Sequence, residues 1–220
     1  MTSTNLEQYD HWYYTPRGQW IGEREYHLVR HYLRPSSTDT VLDAGCGTGY
    51  FTRCFARDQA ALVVGIDSNP EAIRYARLHA AKQVTYLLAK GEALPFSTHS
   101  FDLAVSITAL CFADDQLQFL KEIARVTRRR IAVGLLNRHS LLWVKKGRDG
   151  GRGAYRGARW HTFREVLELF SAAGLINPSV RTAINFPSGS RTARLLERLL
   201  PDSLHWGGFL LVVCDVGGFA

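Results

Sequence analysis

The segment VLDAGCGTGYF, Val41 to Phe51, sets Asp43 ahead of three alternate glycines, Gly45, Gly47 and Gly49, directly after an apolar run. Glycine at the end of a strand lets the chain turn tightly and lets a ligand approach the backbone, which any Cβ would block. A turn of this kind can also be a packing device or a dinucleotide loop. Dinucleotide loops read G-x-G-x-x-G and hold a pyrophosphate at the following helix N-terminus. Here the pattern is D-x-G-x-G-x-G, and the acid at Asp43 repels a pyrophosphate but attracts an ammonium group, which favours a ligand with an amino-acid end. Roughly 20 residues on, the distance at which dinucleotide folds place a ribose-binding acid, Asp67 closes a second apolar run in GIDSNP. A strand-end Asp is commonly a turn former. Paired with this loop at this spacing, its carboxylate is better read as an acceptor for ribose hydroxyls.

These residues need strands that end together and helices that start behind them. Thr40 to Asp43 reads as a strand, Thr48 to Gln59 as a helix and Leu62 to Asp67 as a second strand, continuously apolar as expected when both faces are covered. Asn69 and Pro70 open the next helix, with Ile73, Ala76 and Ala80 as its buried stripe. Further strands are expected at Val84 to Ala89, Phe101 to Ile107 and Arg130 to Leu136, with a helix from about Asp115 to Val126 carrying Leu117, Leu120, Ile123 and Ala124 on one face. Thr162 to Ala173 reads as a helix capped by Thr162 and stopped at Gly174. Ser179 to Ile184 and Phe209 to Val216 complete the strands, with the short helix RTARLLERLLP between them. Alternating strands and helices imply right-handed crossovers and an open α/β sheet covered on both faces. In such sheets the ligand crevice lies at the carboxyl ends of the strands, where the strand order reverses. Two regions break the rhythm. One is the helix Ile21 to Leu33 with the aromatic cluster YDHWYYTPRGQW before it; the other is Asn137 to His161, rich in Arg, Lys and Gly, far longer than the usual loop of about 4 to 6 residues.

The chain has 220 residues, 46% hydrophobic and 21% charged, enough for a full core and unlike a disordered segment. A net charge of +7 permits nucleic acid, an anionic membrane surface or an acidic small molecule as partner without requiring any of them. Cys46, Cys54, Cys111 and Cys214 form no C-x-x-C pair and have no His partner at metal-ligand spacing, so neither a metal site nor a disulfide framework is expected. The first residues lack a basic region followed by an apolar stretch, and the run Phe209 to Cys214 is too short to span a bilayer. A cytoplasmic protein is expected.

Four motifs in order, VLDAGCGTG, GIDSNPEAIRYAR, EALPF and SFDLAVS, resemble those of class I S-adenosylmethionine-dependent methyltransferases, most closely the small type-11 group that includes ubiquinone/menaquinone-pathway enzymes. The resemblance covers roughly Thr40 to Arg130. It implies a Rossmann-like, doubly wound, mostly parallel seven-stranded sheet with a final antiparallel strand, Phe209 to Val216, beside the fifth. It implies S-adenosyl-L-methionine as cofactor and S-adenosyl-L-homocysteine as product. Asp43, Gly45, Cys46 and Gly47 would line the methionine end; Asp67 would take the ribose diol; Ser68 and Asn69 would border the adenine, with Gly91, Glu92 and Ala93 along its other side. The segment Ser106 to Leu110, beginning with Ser106 and Ile107, would form the floor beneath the methyl group. Two positions depart from the pattern. Lys90 stands where the family often carries an Asp for the adenine amino group, and Phe112 follows the fourth strand where a His is common.

The resulting organisation is a single methyltransferase domain with an aromatic cap (1–38), a cofactor-binding core (39–136), a basic substrate-side loop (137–161) and the remaining half of the sheet (162–220). Aromatic faces attract cations, so Tyr9, Trp12, Tyr13 and Trp20 could pack near the sulfonium; they could equally staple the first helix. His139, His161, Tyr14 and Tyr155 are candidate proton acceptors. The basic loop suits RNA, an acidic small molecule, or an amphipathic acceptor resting Trp143 and Trp160 at an anionic surface. With no added RNA-binding module recognisable, a small-molecule or lipid-like acceptor ranks first. A non-catalytic cofactor-binding protein is the rival class, and the glycine spacing with Asp43 disfavours a nicotinamide-dependent oxidoreductase.

Overall fold

The computed structural model describes residues 3–58 and 62–216. Seven strands form one sheet: β1 (Thr40–Ala44), β2 (Leu62–Asp67), β3 (Val84–Leu88), β4 (Phe101–Ile107), β5 (Thr127–Leu136), β6 (Ile176–Ala183) and β7 (Phe209–Asp215). Their order is β3-β2-β1-β4-β5-β7-β6, parallel except for β7, which runs antiparallel to both β5 and β6. This is the expected doubly wound, Rossmann-like α/β sheet, and β1, paired with both β2 and β4, stands at the point of reversal.

Successive strand residues point to opposite faces, and both faces are covered. Leu42, Ile66, Ile131 and Val212 pack on the side of α5 (Gln116–Val126) and α7 (Phe163–Ala172), with Leu120, Ile123 and Phe170. Their neighbours Val41, Val63, Ala132 and Leu211 pack on the side of α2 (Pro16–Leu33) and α3 (Tyr50–Arg57), with Val29, Leu33 and Phe55. The continuously apolar runs are thus buried on both faces at the centre of the sheet, in β1, β4 and β7, while the edge strands β3 and β6 stay partly exposed.

Helix starts follow local chemistry. Asn69 caps α4 (Pro70–Leu78), accepting from the backbone N–H of Glu71 and Ala72, with Pro70 in the first turn. Thr162 and Glu165 form a reciprocal capping box on α7, and Gly174 follows in the left-handed conformation at φ +76°. Ser190 caps α8 (Arg191–Leu199) through the Ala193 N–H.

Several expected boundaries move. The aromatic cluster is itself helical: α1 spans Ser3–Trp12, and α2 begins at Pro16 under a Thr15 cap, five residues ahead of Ile21. Gly49 at φ +84° caps α3, so the helix opens at Tyr50 rather than Thr48; Gln59 lies outside the described residues. Helix α4 ends before Ala80, which is exposed, and Ala72 joins Ile73 and Ala76 in the buried stripe. On α5, Phe119 and Val126 are buried with Leu120 and Ile123, whereas Leu117 and Ala124 are half-buried. The segment 137–161 is not structureless. It holds α6 (Leu141–Lys146), capped by Ser140, and a 3-10 turn at Gly153–Tyr155.

Candidate functional site

The carboxyl ends of β1 and β2 are joined by backbone. The N–H groups of Gly45 and Cys46 both donate to the Ile66 carbonyl at 2.8 Å, which ties the glycine loop to the neighbouring strand. The three glycines have different causes. A Cβ on Gly45, at φ +80°, would lie 2.1 Å from the Ala109 Cβ, and one on Gly49 would lie 2.3 Å from the Tyr86 hydroxyl oxygen. Packing therefore demands both. Gly47, at φ +54°, would meet nothing within 4 Å, so its bare backbone faces an open cleft. That is the cradle a close-lying ligand requires.

Asp67 stands at the edge of this cleft. Its Oδ2 accepts from the Gly47 N–H and its Oδ1 from the Asn69 N–H, each at 2.8 Å. The carboxylate is half-buried and oriented by two elements, with lone pairs left for further donors. Ser68 beside it is exposed, and Asn69 spends its side-chain oxygen on the α4 cap. Asp43, at 1% exposure, accepts from the Thr52 hydroxyl at 2.6 Å. Burial lifts its carboxyl to about 7, with Thr52 opposing and the charge of Asp67 adding to the rise. Cys46 packs with Ile73, Ala76 and Tyr86, and burial raises its thiol well above the ordinary value.

The opposite wall comes from the β3–β4 connection and the end of β4. A Cβ on Gly91 would lie 1.9 Å from the Phe119 ring, so core packing explains this glycine; the Glu92 carbonyl accepts from Gln118, and Lys90 and Ala93 are exposed. Glu122 and Arg125 hold the next turn through the Leu94 N–H and the carbonyls of Leu94 and Phe96. Ser106 is fully buried and its hydroxyl has no partner among the described residues; Ile107 is buried beside it. Thr108 then adopts φ +60°, a left-handed conformation that a β-branched residue enters only under constraint. Its N–H donates to the Gly134 carbonyl at 2.8 Å. The strained turn places Ala109 against Gly45 and shapes the floor between them.

Sequence reasoning missed what holds the cap. Asp10 of α1 is buried and paired with Arg53 of α3 at 2.8 Å, and Arg53 also donates to the Thr48 carbonyl at 2.7 Å. Tyr75 of α4 donates to the other Asp10 oxygen at 3.2 Å. One carboxylate thus pins α1 over the glycine loop. No local signal reveals it, since its partners lie 43 and 65 residues away. Tyr13 stacks on Tyr50 at 3.8 Å and meets Phe51 edge-on at 5.9 Å, which brings it to the start of α3. Trp20 does not join it. The side chain stacks under the Arg194 guanidinium at 5.7 Å and lies against Gly189, because it projects about 200° round the helix from Gly22, which faces Tyr13. Its expected place at the cofactor is corrected accordingly.

The four candidate proton acceptors separate. Tyr14 is 62% exposed and lines a surface hollow with Glu7, His11 and Tyr75. His139 is exposed and caps a turn through its backbone N–H to the Asn137 side chain. His161 is buried at the foot of the 137–161 loop, with its backbone paired to Leu136 and Arg138 and its Nε2 3.1 Å from the Gln116 side-chain oxygen; burial lowers its pKa. Its surroundings make it a loop anchor. Tyr155 packs against Trp160 at 5.6 Å on the α5/α7 side of the core; burial raises it to about 12, and the charges of Glu25 and Arg17 act on it from a distance. Among the described residues, no cluster of three or more His, Cys, Asp or Glu is arranged to hold a metal, and no helix is long and apolar enough to cross a membrane.

A family model described as a methyltransferase domain matches residues 42–130, the stretch that builds the glycine loop, Asp67 and both walls. The malonyl-[acyl-carrier protein] O-methyltransferase of Erwinia pyrifoliae is 34% identical over 196 residues, 84% of this chain and 70% of that protein. Among solved structures, a SAM-dependent methyltransferase from Thermotoga maritima superposes with a TM-score of 0.78 at 24% identity, covering 98% of this chain and 97% of the other. The geranyl diphosphate C-methyltransferase of Streptomyces coelicolor, solved with S-adenosyl-L-homocysteine, superposes at 0.66 with 16% identity, covering 88% and 78%. An open glycine cradle, the carboxylate of Asp67 oriented by it and these matches agree: the chain is an enzyme of the class I S-adenosylmethionine-dependent methyltransferases, type 11, and S-adenosyl-L-methionine is its cofactor.

Proposed function

We propose that this enzyme methylates a small-molecule or lipid-like acceptor that enters between the α1–α2 cap and the 137–161 loop, in the cytoplasm. The observation that carries it is the Gly47–Asp67–Asn69 constellation, where open backbone and an oriented carboxylate meet at the sheet's point of reversal. The bound cofactor supplies a methyl group on a sulfonium, displaced in line by the acceptor. The chain's own residues hold and shield. Asp67 accepts from the ribose hydroxyls; Asp43, with Gly45, Cys46 and Gly47, borders the amino-acid end; Ser68, Asn69, Gly91, Glu92 and Ala93 flank the adenine. With Lys90 exposed and lacking an acceptor, the adenine amino group is left to a backbone carbonyl or to Glu92. Ser106 and Ile107 form the floor, and the face of Tyr13 favours the cationic centre. Alignment and exclusion of water supply most of the rate.

Relatives support the lipid-like character of the acceptor but not the atom methylated: one is named for O-methylation of a malonyl-[acyl-carrier protein] and one structural neighbour for C-methylation of geranyl diphosphate. Nucleic acid is less favoured, since Arg148 lies over Trp143 and Arg159 donates to the Asp114 carbonyl, which engages part of the loop's charge internally. Calorimetric titration with S-adenosyl-L-homocysteine and NADH, with and without Asp67→Ala, tests the binding half. Homocysteine-adduct binding weakened by about 1 to 3 kcal/mol in the variant is expected, with none for NADH. Equal affinity in both proteins sinks the Asp67 role, and methyl transfer to no acceptor class would favour a non-catalytic binder.

A further inference from the structure

Glu25 of α2 is half-buried and, among the described residues, makes no hydrogen bond or ion pair. Its helix position places it in line with Gly18 and Gly22, seven and three residues earlier. Those glycines mark the face that meets the cap: a Cβ on Gly18 would strike the Trp12 backbone, and one on Gly22 the rings of Tyr13 and Tyr50. The charge of Glu25 acts on Tyr9, Tyr13, Tyr50 and Tyr155, while Tyr9 also feels Asp67. Tyr9 and Tyr13, whose hydroxyls are 3.4 Å apart, and Tyr50, stacked on Tyr13 at 3.8 Å, thus lie on the side of α2 that carries Glu25, at the start of the helix that follows the glycine loop.

The groups on which the charge of Glu25 acts, Tyr9 of α1, Tyr13 in the turn after it, Tyr50 of α3 and Tyr155 of the loop, are tyrosines whose pKa is raised, so each stays neutral and none of the four compensates a carboxylate. On its own helix, Arg17 acts on Tyr155, and Glu23 turns to Gln19. Burial without a cation lifts Glu25 to about 8. A half-buried carboxyl left without a partner is costly to the fold unless something else meets it. Its pKa also suits a base working near neutral pH.

We propose that Glu25 faces the methyl acceptor and takes the proton the acceptor gives up, so the acceptor is a neutral amine or a hydroxyl compound rather than a carboxylate. The assignment rests on the methyltransferase reading above and names its acceptor chemistry. The acceptor nitrogen or oxygen lone pair forms the bond to the methyl carbon, and the carbon–sulfur bond breaks with its electron pair going to sulfur. The acceptor's N–H or O–H proton passes to the Glu25 carboxylate and then to solvent. A carboxylate acceptor has no such proton and would meet a like charge once Glu25 ionises.

The test uses the full chain, Glu25→Gln and Glu25→Asp, with S-adenosyl-L-methionine and four acceptor probes: octylamine, tyramine, 4-hexylphenol and octanoate. The wild type is expected to methylate an amine or phenol, and with 4-hexylphenol, which stays neutral over this range, kcat/KM should rise about tenfold per pH unit up to about 8 and level above it. Glu25→Gln should lose at least about 30-fold in kcat and lose that pH limb, with partial rescue by Glu25→Asp, while S-adenosyl-L-homocysteine affinity stays within about twofold. An undiminished rate or an unchanged pH limb in Glu25→Gln overturns the assignment, as does methylation of octanoate alone. Failure of every amine and phenol with homocysteine-adduct binding intact overturns the acceptor chemistry but not the cofactor reading. Loss of that binding in the wild type would bring both down.

Discussion

At the carboxyl ends of β1 and β2 the polar groups are set by backbone: Asp67 is held by two N–H groups, and the loop before α3 by the Ile66 carbonyl. The α1–α2 cap, by contrast, is held by side chains on segments far apart in sequence, and the 137–161 loop by side-chain packing of its own. Tyr13 leans on Tyr50, Asp10 reaches Arg53 and Tyr75, and Tyr155 leans on Trp160. Backbone geometry constrains residue type tightly, because only glycine fits φ +80° beside Ala109. A side-chain lining tolerates exchange at each position. On the function proposed above, the floor can stay committed to one cofactor while the side chains above it are free to change with the acceptor.

The most severe way to break this contrast is on the floor. Gly45→Ala adds a Cβ 2.1 Å from that of Ala109 at a left-handed φ, and should cost about 2 to 5 kcal/mol of stability by urea unfolding, with cofactor binding lost. A loss below about 1 kcal/mol would mean that the turn relaxes freely. Next comes the clamp between the two regions. Asp10→Ala leaves the half-buried Arg53 without its carboxylate and should cost about 2 kcal/mol, with proteolysis beginning in α1. If cleavage begins elsewhere, Asp10 is not what pins the cap. The smallest effect sharpens the floor itself. Asp43 is raised to about 7 in the folded chain, so it is protonated below that pH and must ionise to face an ammonium group. Affinity for S-adenosyl-L-homocysteine should then fall about tenfold from pH 8 to pH 6 and stay flat in Asp43→Asn. In the unliganded chain the sign is opposite. The folded form keeps a proton that the unfolded form releases above its ordinary pKa near 4, so this group's contribution to stability declines as pH rises toward 7.

What was legible in the chain divides along the same line. Short apolar runs, Asn69–Pro70 and Thr162 are local signals, so all seven strands and the caps of α4 and α7 could be read directly. Helix α1 could not, because its residues are mostly polar or aromatic and its stability comes from Asp10 meeting partners on other helices. Trp20 shows the same limit: aromatic type suggests a cation, and the structure supplies one, but it is Arg194 on α8. In the sequence, Glu25 is one of several charged residues of α2 with nothing local to single it out. Only the face shared with Gly18 and Gly22 shows that it points inward.

Strand β7 follows β6 in the chain yet is inserted between β6 and β5, and β6 has no other neighbour in the sheet. During synthesis, β6 can therefore find no sheet to join until the ribosome has released the residues of β7 some 30 positions later, a distance of about 100 Å in extended chain. Until that moment β5 presents an open apolar edge. The cofactor half can assemble first, and the last strand acts as the latch that turns a partly formed, aggregation-prone intermediate into a finished enzyme.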